Sequence, residues 1–114
     1  MNSDTDNNDD IEILPLTKDH VIEVLKVIDD PELHIDIMTL GLIYDTVIDE
    51  KKKSIDIRMT FTTPLCPYGE ILVEMIHTAL TEQFGLAKDK VHVEVVFDPP
   101  WKPTDEIKAM LGIM

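Results

Sequence analysis

One hundred and fourteen residues, 44% of them apolar and 29% charged, make one ordinary globular domain rather than two. Ten Lys and Arg stand against 23 Asp and Glu, a formal charge of −13. That excludes a general nucleic-acid binder and argues against docking on anionic lipid, both of which run on clustered positive charge. The one cysteine, Cys66, excludes an internal disulfide framework and any four-cysteine metal site built from a single chain.

Residues 1–12 hold Asp4, Asp6, Asp9, Asp10 and Glu12 and no basic residue. This composition buries too little apolar surface to offset its ordering entropy, so the segment reads as a disordered acidic tail ahead of a domain at 13–114. Without the tail, acidic residues still exceed basic ones by eight. The opening run has neither the basic nor the apolar region of a secretory signal. No apolar stretch approaches the roughly 20 residues of a membrane span. The expected compartment is the cytoplasm.

The first periodic segment is 17–28. Val21, Val24, Leu25 and Ile28 form the i, i+3, i+4, i+7 stripe of an amphipathic helix. Thr17 suits its N-cap and Asp19 its first turn. Asp29-Asp30-Pro31 ends it, because a residue before proline is pushed out of the α region. Residues 30–41 read as irregular. The β-branched and aromatic run Leu42–Ile48 reads as a strand, and the charged stretch Asp49–Lys53 as a turn. In the next strand Ile55, Ile57, Met59 and Phe61 point one way, and Asp56, Arg58 and Thr60 the other.

Residues 62–69 break the pattern with two prolines and a glycine. A second helix follows, with Leu72, Met75, Ile76, Ala79 and Leu80 as its buried stripe and Gly85 as its C-cap. Val91, Val93, Val95 and Phe97 form one face of a third strand. Asp98-Pro99-Pro100-Trp101-Lys102-Pro103 halts it. Thr104 caps a short last helix through Leu111, closed by Gly112. The methionines, Met38, Met59, Met75 and Met110 among them, read as fillers of apolar gaps. The order α-β-β-α-β-α predicts an α+β fold in two layers. A small mixed three-stranded sheet carries its helices on one face.

Three loops carry candidate chemistry. Cys66 directly precedes Pro67, and proline favours the first helical position, which puts Cys66 at or near the N-cap of the second helix. There the free N–H groups and the macrodipole favour a thiolate, the form that attacks and that binds metal. The alternative is a small buried hydrophobe. The loop Asp29–Asp36 holds five ionisable groups, although Asp and Pro also serve turns for backbone reasons alone. The stiff Asp98–Trp101 loop follows a strand end, where loops carry function, and its Trp101 is either part of a site or a plug for the sheet edge. His20, His34, His77 and His92 show no metal-ligand spacing and read as single surface residues. There is no CxxC, GxGxxG or Walker motif.

Taken together the three loops resemble a known family. The run Asp30-Pro31-Glu32-Leu33-x-x-Asp36-Ile37-x-x-Leu40-Gly41-Leu42-Ile43-Tyr44 resembles the opening signature of the small iron–sulfur assembly domains, which include SufT-like maturation factors and PaaD-like proteins. Met59-Thr60-Phe61-Thr62-Thr63-Pro64-Leu65-Cys66-Pro67 is similar to the threonine-rich strand end and Cys-Pro of that family. Phe97-Asp98-Pro99-Pro100-Trp101-x-Pro103 is similar to its third signature. Lys102 and Asp105-Glu106-Ile107 depart from the pattern, and the acidic tail lies outside it.

The resemblance implies an α+β domain that helps assemble iron–sulfur clusters or deliver them to client apoproteins, alongside other cluster-assembly proteins. It implies no enzyme activity. Cys66 would be the reactive residue and cluster ligand, in a pocket with Asp30, Glu32, Thr62, Thr63, Pro67, Asp98 and Trp101. One chain offers one thiolate where a cluster takes about four ligands. Binding would therefore be transient, with the rest supplied by a homodimer, a thiol cofactor, non-cysteine groups or the client. Two other readings stand beside it. One is an interaction subunit of a larger complex, for which the surface around Trp101 matters most. The other is a cysteine-dependent enzyme with His34 or Asp30 as base.

Overall fold

The computed structural model describes residues 13–63 and 67–112. The acidic segment 1–12 and Cys66 lie outside the described residues.

Helix α1 spans Lys18–Leu25 and is capped as its sequence predicts, with Thr17 Oγ1 accepting from the His20 N–H at 3.2 Å. Its stripe is buried at Val21, Val24 and Leu25, and Ile28 continues the buried row beyond the helix end. The segment expected to be irregular contains a one-turn helix, α2, Ile37–Leu40. Asp36 caps it by accepting from the Thr39 N–H, and Gly41 ends it at φ 78°, the left-handed region glycine tolerates. Ile37 and Leu40 are thereby turned into the core.

Strands β1 (Ile43–Asp49) and β2 (Ser54–Met59) form the expected antiparallel hairpin. Asp49 holds its turn by accepting from the N–H groups of Lys51 and Lys52. The 16-residue helix α3 (Gly69–Phe84) and a 3-10 turn at Lys88–Lys90 lead to β3 (Val91–Val95), which pairs parallel to β2. The sheet order is β1-β2-β3. Helix α4 (Asp105–Leu111) closes the described chain with Thr104 as cap and Gly112 as its left-handed end. The architecture is the predicted α+β arrangement with the added turn α2.

Period-two alternation decides which side of the sheet is covered. Ile55, Ile57, Met59 and Val91 are buried with the helices, while Asp45, Val47, Asp56, Arg58, His92 and Glu94 line a shallow depression on the open face. On α3 the core side is Leu72, Ile76, Leu80 and Phe84, a strict i, i+4 row.

Several expectations need correction. Met75 and Met110 are 40% and 54% exposed, so neither fills a core gap, whereas Met59 does. Thr60 is buried, not on the polar face: β2 ends at Met59, and the Thr60 N–H turns to the Leu42 carbonyl at 2.8 Å. Phe97 is outside β3, because the Val96 N–H makes the last bond, to Met59 O, and the chain then leaves the sheet. Pro67 is not the first residue of α3. The helix starts at Gly69, with Tyr68 at the N-cap position making no side-chain cap bond.

Gly69 shows why the helix begins there. A Cβ at this position would overlap the Phe61 ring, so the first turn packs directly on that ring. Gly69→Ala is expected to cost about 1–3 kcal/mol through overpacking. A fall in the urea midpoint with an unchanged slope would register it.

Candidate functional site

The strand register gathers the loops. Ile43 is level with Met59, and Met59 with Val95. The start of β1, the end of β2 and the end of β3 therefore share one end of the sheet. The start of α3 joins them there through the Gly69–Phe61 contact.

From β2 the chain delivers Thr60, Phe61 and Thr62, and from β3 it delivers Phe97, Pro100 and Trp101. These six residues line a cleft of about 70 Å³. The Phe61 and Phe97 rings meet edge to face, 6.0 Å between centroids at 66°. That separation lies in the favourable range for an aromatic pair. The Asp98–Pro99 peptide is cis. Tyr44 Oη donates to Pro99 O at 2.8 Å, and Trp101 Nε1 donates to Leu40 O at 2.6 Å. Tyr44 reaches the loop from a bulge between Ile43 and Asp45, where the β1 register slips by one residue. Such bulges re-aim a side chain. The last loop is thus clamped to β1 and α2 by two side-chain donors. Trp101 packs half-buried against the core cluster.

Asp30 is buried, at 2% exposure, and its carboxylate is turned into its own loop. Oδ1 accepts from the N–H groups of Glu32 and Leu33 at 2.8 and 2.9 Å. Its backbone accepts from the His34 N–H and donates to Ile35 O. His34 sits at φ 58°, the left-handed conformation that lets this tight loop close. Glu32 is exposed, as are Thr63, Pro67 and Asp98. Thr62 and Trp101 are brought together at the cleft, while Asp30 and Glu32 are not among its lining. Cys66 falls between Thr63 and Pro67, outside the described residues. It precedes Tyr68, the N-cap position of α3, by two residues in sequence.

Thr60, Phe61, Phe97, Pro100 and Tyr44 also build this end of the sheet. Sequence reasoning did not pick them as site residues, although all but Thr60 and Phe61 sit within or beside two prolines or a strand start. Among the described residues no three His, Cys, Asp or Glu side chains are gathered to hold a metal ion.

With this fold and these three junction loops, the chain belongs to the iron–sulfur cluster assembly protein family, whose model matches residues 18–95, from α1 through β3. The resemblance read from the motifs therefore holds. Among its relatives is the Fe-S protein maturation auxiliary factor YitW of Bacillus subtilis, 36% identical over 99 residues, 84% of this chain and 94% of the relative. The maturation auxiliary factor SufT of Staphylococcus aureus is 36% identical over 72 residues, 63% of this chain and 78% of that one. A crystal structure titled as a domain of unknown function, DUF59, from Bacillus anthracis superposes with a TM-score of 0.72 at 32% identity. It covers 85% of this chain and 92% of its own. No described helix is long and apolar enough to cross a membrane.

Proposed function

We propose that this protein is an auxiliary maturation factor that helps pass iron–sulfur clusters to client apoproteins, with Cys66 as a transient ligand of the cluster in transit. The observation that carries this reading is the meeting of the Thr60–Thr62 and Phe97–Trp101 motifs at one end of the sheet. The loop that contains Cys66 leaves beside the Thr62–Trp101 cleft and returns at Gly69 against Phe61. The relatives named as maturation factors support it.

The cluster is cargo in this proposal. The chain's one cysteine cannot complete a cluster's usual set of about four ligands, so the others come from the client, a second chain or a thiol cofactor. Incomplete ligation keeps the bond exchangeable, which suits delivery. The cleft beside the loop, about 70 Å³, is far below the roughly 300 Å³ at which small-molecule sites begin.

The test is anaerobic maturation of a client iron–sulfur apoprotein with iron, sulfide and the protein present. Cys66→Ala is expected to lower recovered client activity at least tenfold while leaving the unfolding midpoint unchanged. Undiminished recovery with Cys66→Ala would overturn the assignment. If Trp101→Ala alone then abolished partner capture, the protein would be an interaction subunit instead.

A further inference from the structure

Helix α3 carries more apolar surface than its core contacts use. Leu72, Ile76, Leu80 and Phe84 face the core, but Ile71 and Met75 lie on the adjoining flank, 53% and 40% exposed. Across from them Val27, just past the end of α1, is 79% exposed. Together with Ala79 they floor a groove of about 540 Å³ between the two helices, rimmed by Glu74 and Glu82. Ile71, Met75 and Ala79 repeat at i, i+4, i+8, a strip about 12 Å long at the helical rise. That length matches two turns of a docked helix.

Charge decides what fits this groove. The sequence of α3 contains Glu70, Glu74 and Glu82 and neither Lys nor Arg. The segment 1–12 joins the described chain at Ile13, whose side chain packs over Gly85, and the Leu14 N–H donates to the carbonyl of Gln83 on the groove wall. Residues 1–12 carry five carboxylates and no Lys or Arg. That segment is a poor occupant itself, since its apolar residues are only Met1 and Ile11 and its charge has the sign of the rim. A second copy brings the same −13 charge and the same glutamates to meet their like.

We propose that the groove between the end of α1 and α3 is a docking site for a basic amphipathic segment of a partner protein. Two turns of helix place apolar side chains on Val27, Ile71 and Met75 and set Lys or Arg against Glu74 and Glu82. The site lies on the helical layer and does not depend on how Cys66 is used, so its test stands apart from the maturation assay.

The probe is a 14-residue Leu/Lys peptide patterned as an amphipathic helix, with a scrambled peptide of the same composition as control. It is titrated into the full, isotope-labelled chain and followed by amide NMR shifts. The patterned peptide is expected to shift Val27, Ile71, Met75 and Ala79, and to bind at least tenfold tighter than the scrambled one. Met75→Asp and the double variant Glu74→Lys/Glu82→Lys should each weaken binding at least tenfold. Asp45→Lys/Asp56→Lys, the same charge change as the glutamate pair but on the open sheet face, should alter it less than twofold. The exposed positions of Met75, Glu74 and Glu82 let these variants fold, which the amide spectra check directly. Equal binding of the scrambled peptide, or equal loss with Asp45→Lys/Asp56→Lys, would overturn the proposal in favour of diffuse charge attraction. Self-association in sedimentation that Met75→Asp abolishes would overturn it in favour of a second copy.

Discussion

Asp30→Ala is expected to lower stability by about 2 kcal/mol, whereas Asp30→Asn should cost less than about 1 kcal/mol. The carboxylate is buried and its Oδ1 accepts from two backbone N–H groups, those of Glu32 and Leu33. Alanine leaves both donors without their partner at the buried turn, and an orphaned buried donor costs about 1–3 kcal/mol before relaxation and water access reduce it. Asparagine retains a side-chain carbonyl in the same place and can still accept both bonds. For a domain of this size 2 kcal/mol corresponds to a melting shift on the order of 10 °C. Thermal unfolding of the two variants measures the difference, and equal losses would show that the two bonds contribute little. The pair also separates architecture from chemistry. If the negative charge of Asp30 acts in cluster transfer, Asp30→Asn melts like the parent chain but matures clients poorly. If the residue only folds the loop, Asp30→Asn is silent in both measurements.

Legibility in the sequence followed the range of the interactions. Thr17, Thr104, Gly85 and Gly112 mark helix ends through bonds to residues three or four positions away, and each occupies the expected cap. The β1–β2 hairpin was readable for the same reason, since its turn chemistry is local to Asp49. The close packing of the α3 start was not readable, because it joins Gly69 to the Phe61 ring across a loop. Alternation likewise misplaces Thr60: the pattern continues on paper after the strand has ended. The flank of α3 shows a further limit. Periodicity locates an apolar stripe but not how wide a stripe the partner helix covers, and Met75 falls just beyond the width that α1 reaches. For the site, the loops were identifiable from Pro, Gly and the single Cys and Trp. The clamp that joins them was not, because Trp101 and Leu40 are 61 positions apart.

That clamp sets the second large effect. Trp101→Ala should destabilise the fold by about 2–3 kcal/mol, while Trp101→Phe should cost about 1 kcal/mol. Full truncation of a buried tryptophan costs about 3–5 kcal/mol, and the half-buried ring here forfeits part of that. The phenylalanine keeps most of the apolar contact and loses only the Nε1 bond to Leu40 O, for which about 1 kcal/mol is typical. Leu40 closes α2, and its carbonyl is one of the helix-end acceptors that need an outside donor. Removing the donor therefore loosens α2 and the last loop together, even though they belong to opposite ends of the sequence. Chemical unfolding followed by circular dichroism reads both variants, since neither retains the chain's only tryptophan as a fluorophore. In the maturation assay Trp101→Phe isolates the clamp: with the cleft still lined by an aromatic ring, a loss of client activity beyond the loss of stability means that holding the last loop to α2 positions the transfer site. Activity that simply tracks stability would make Trp101 a packing residue.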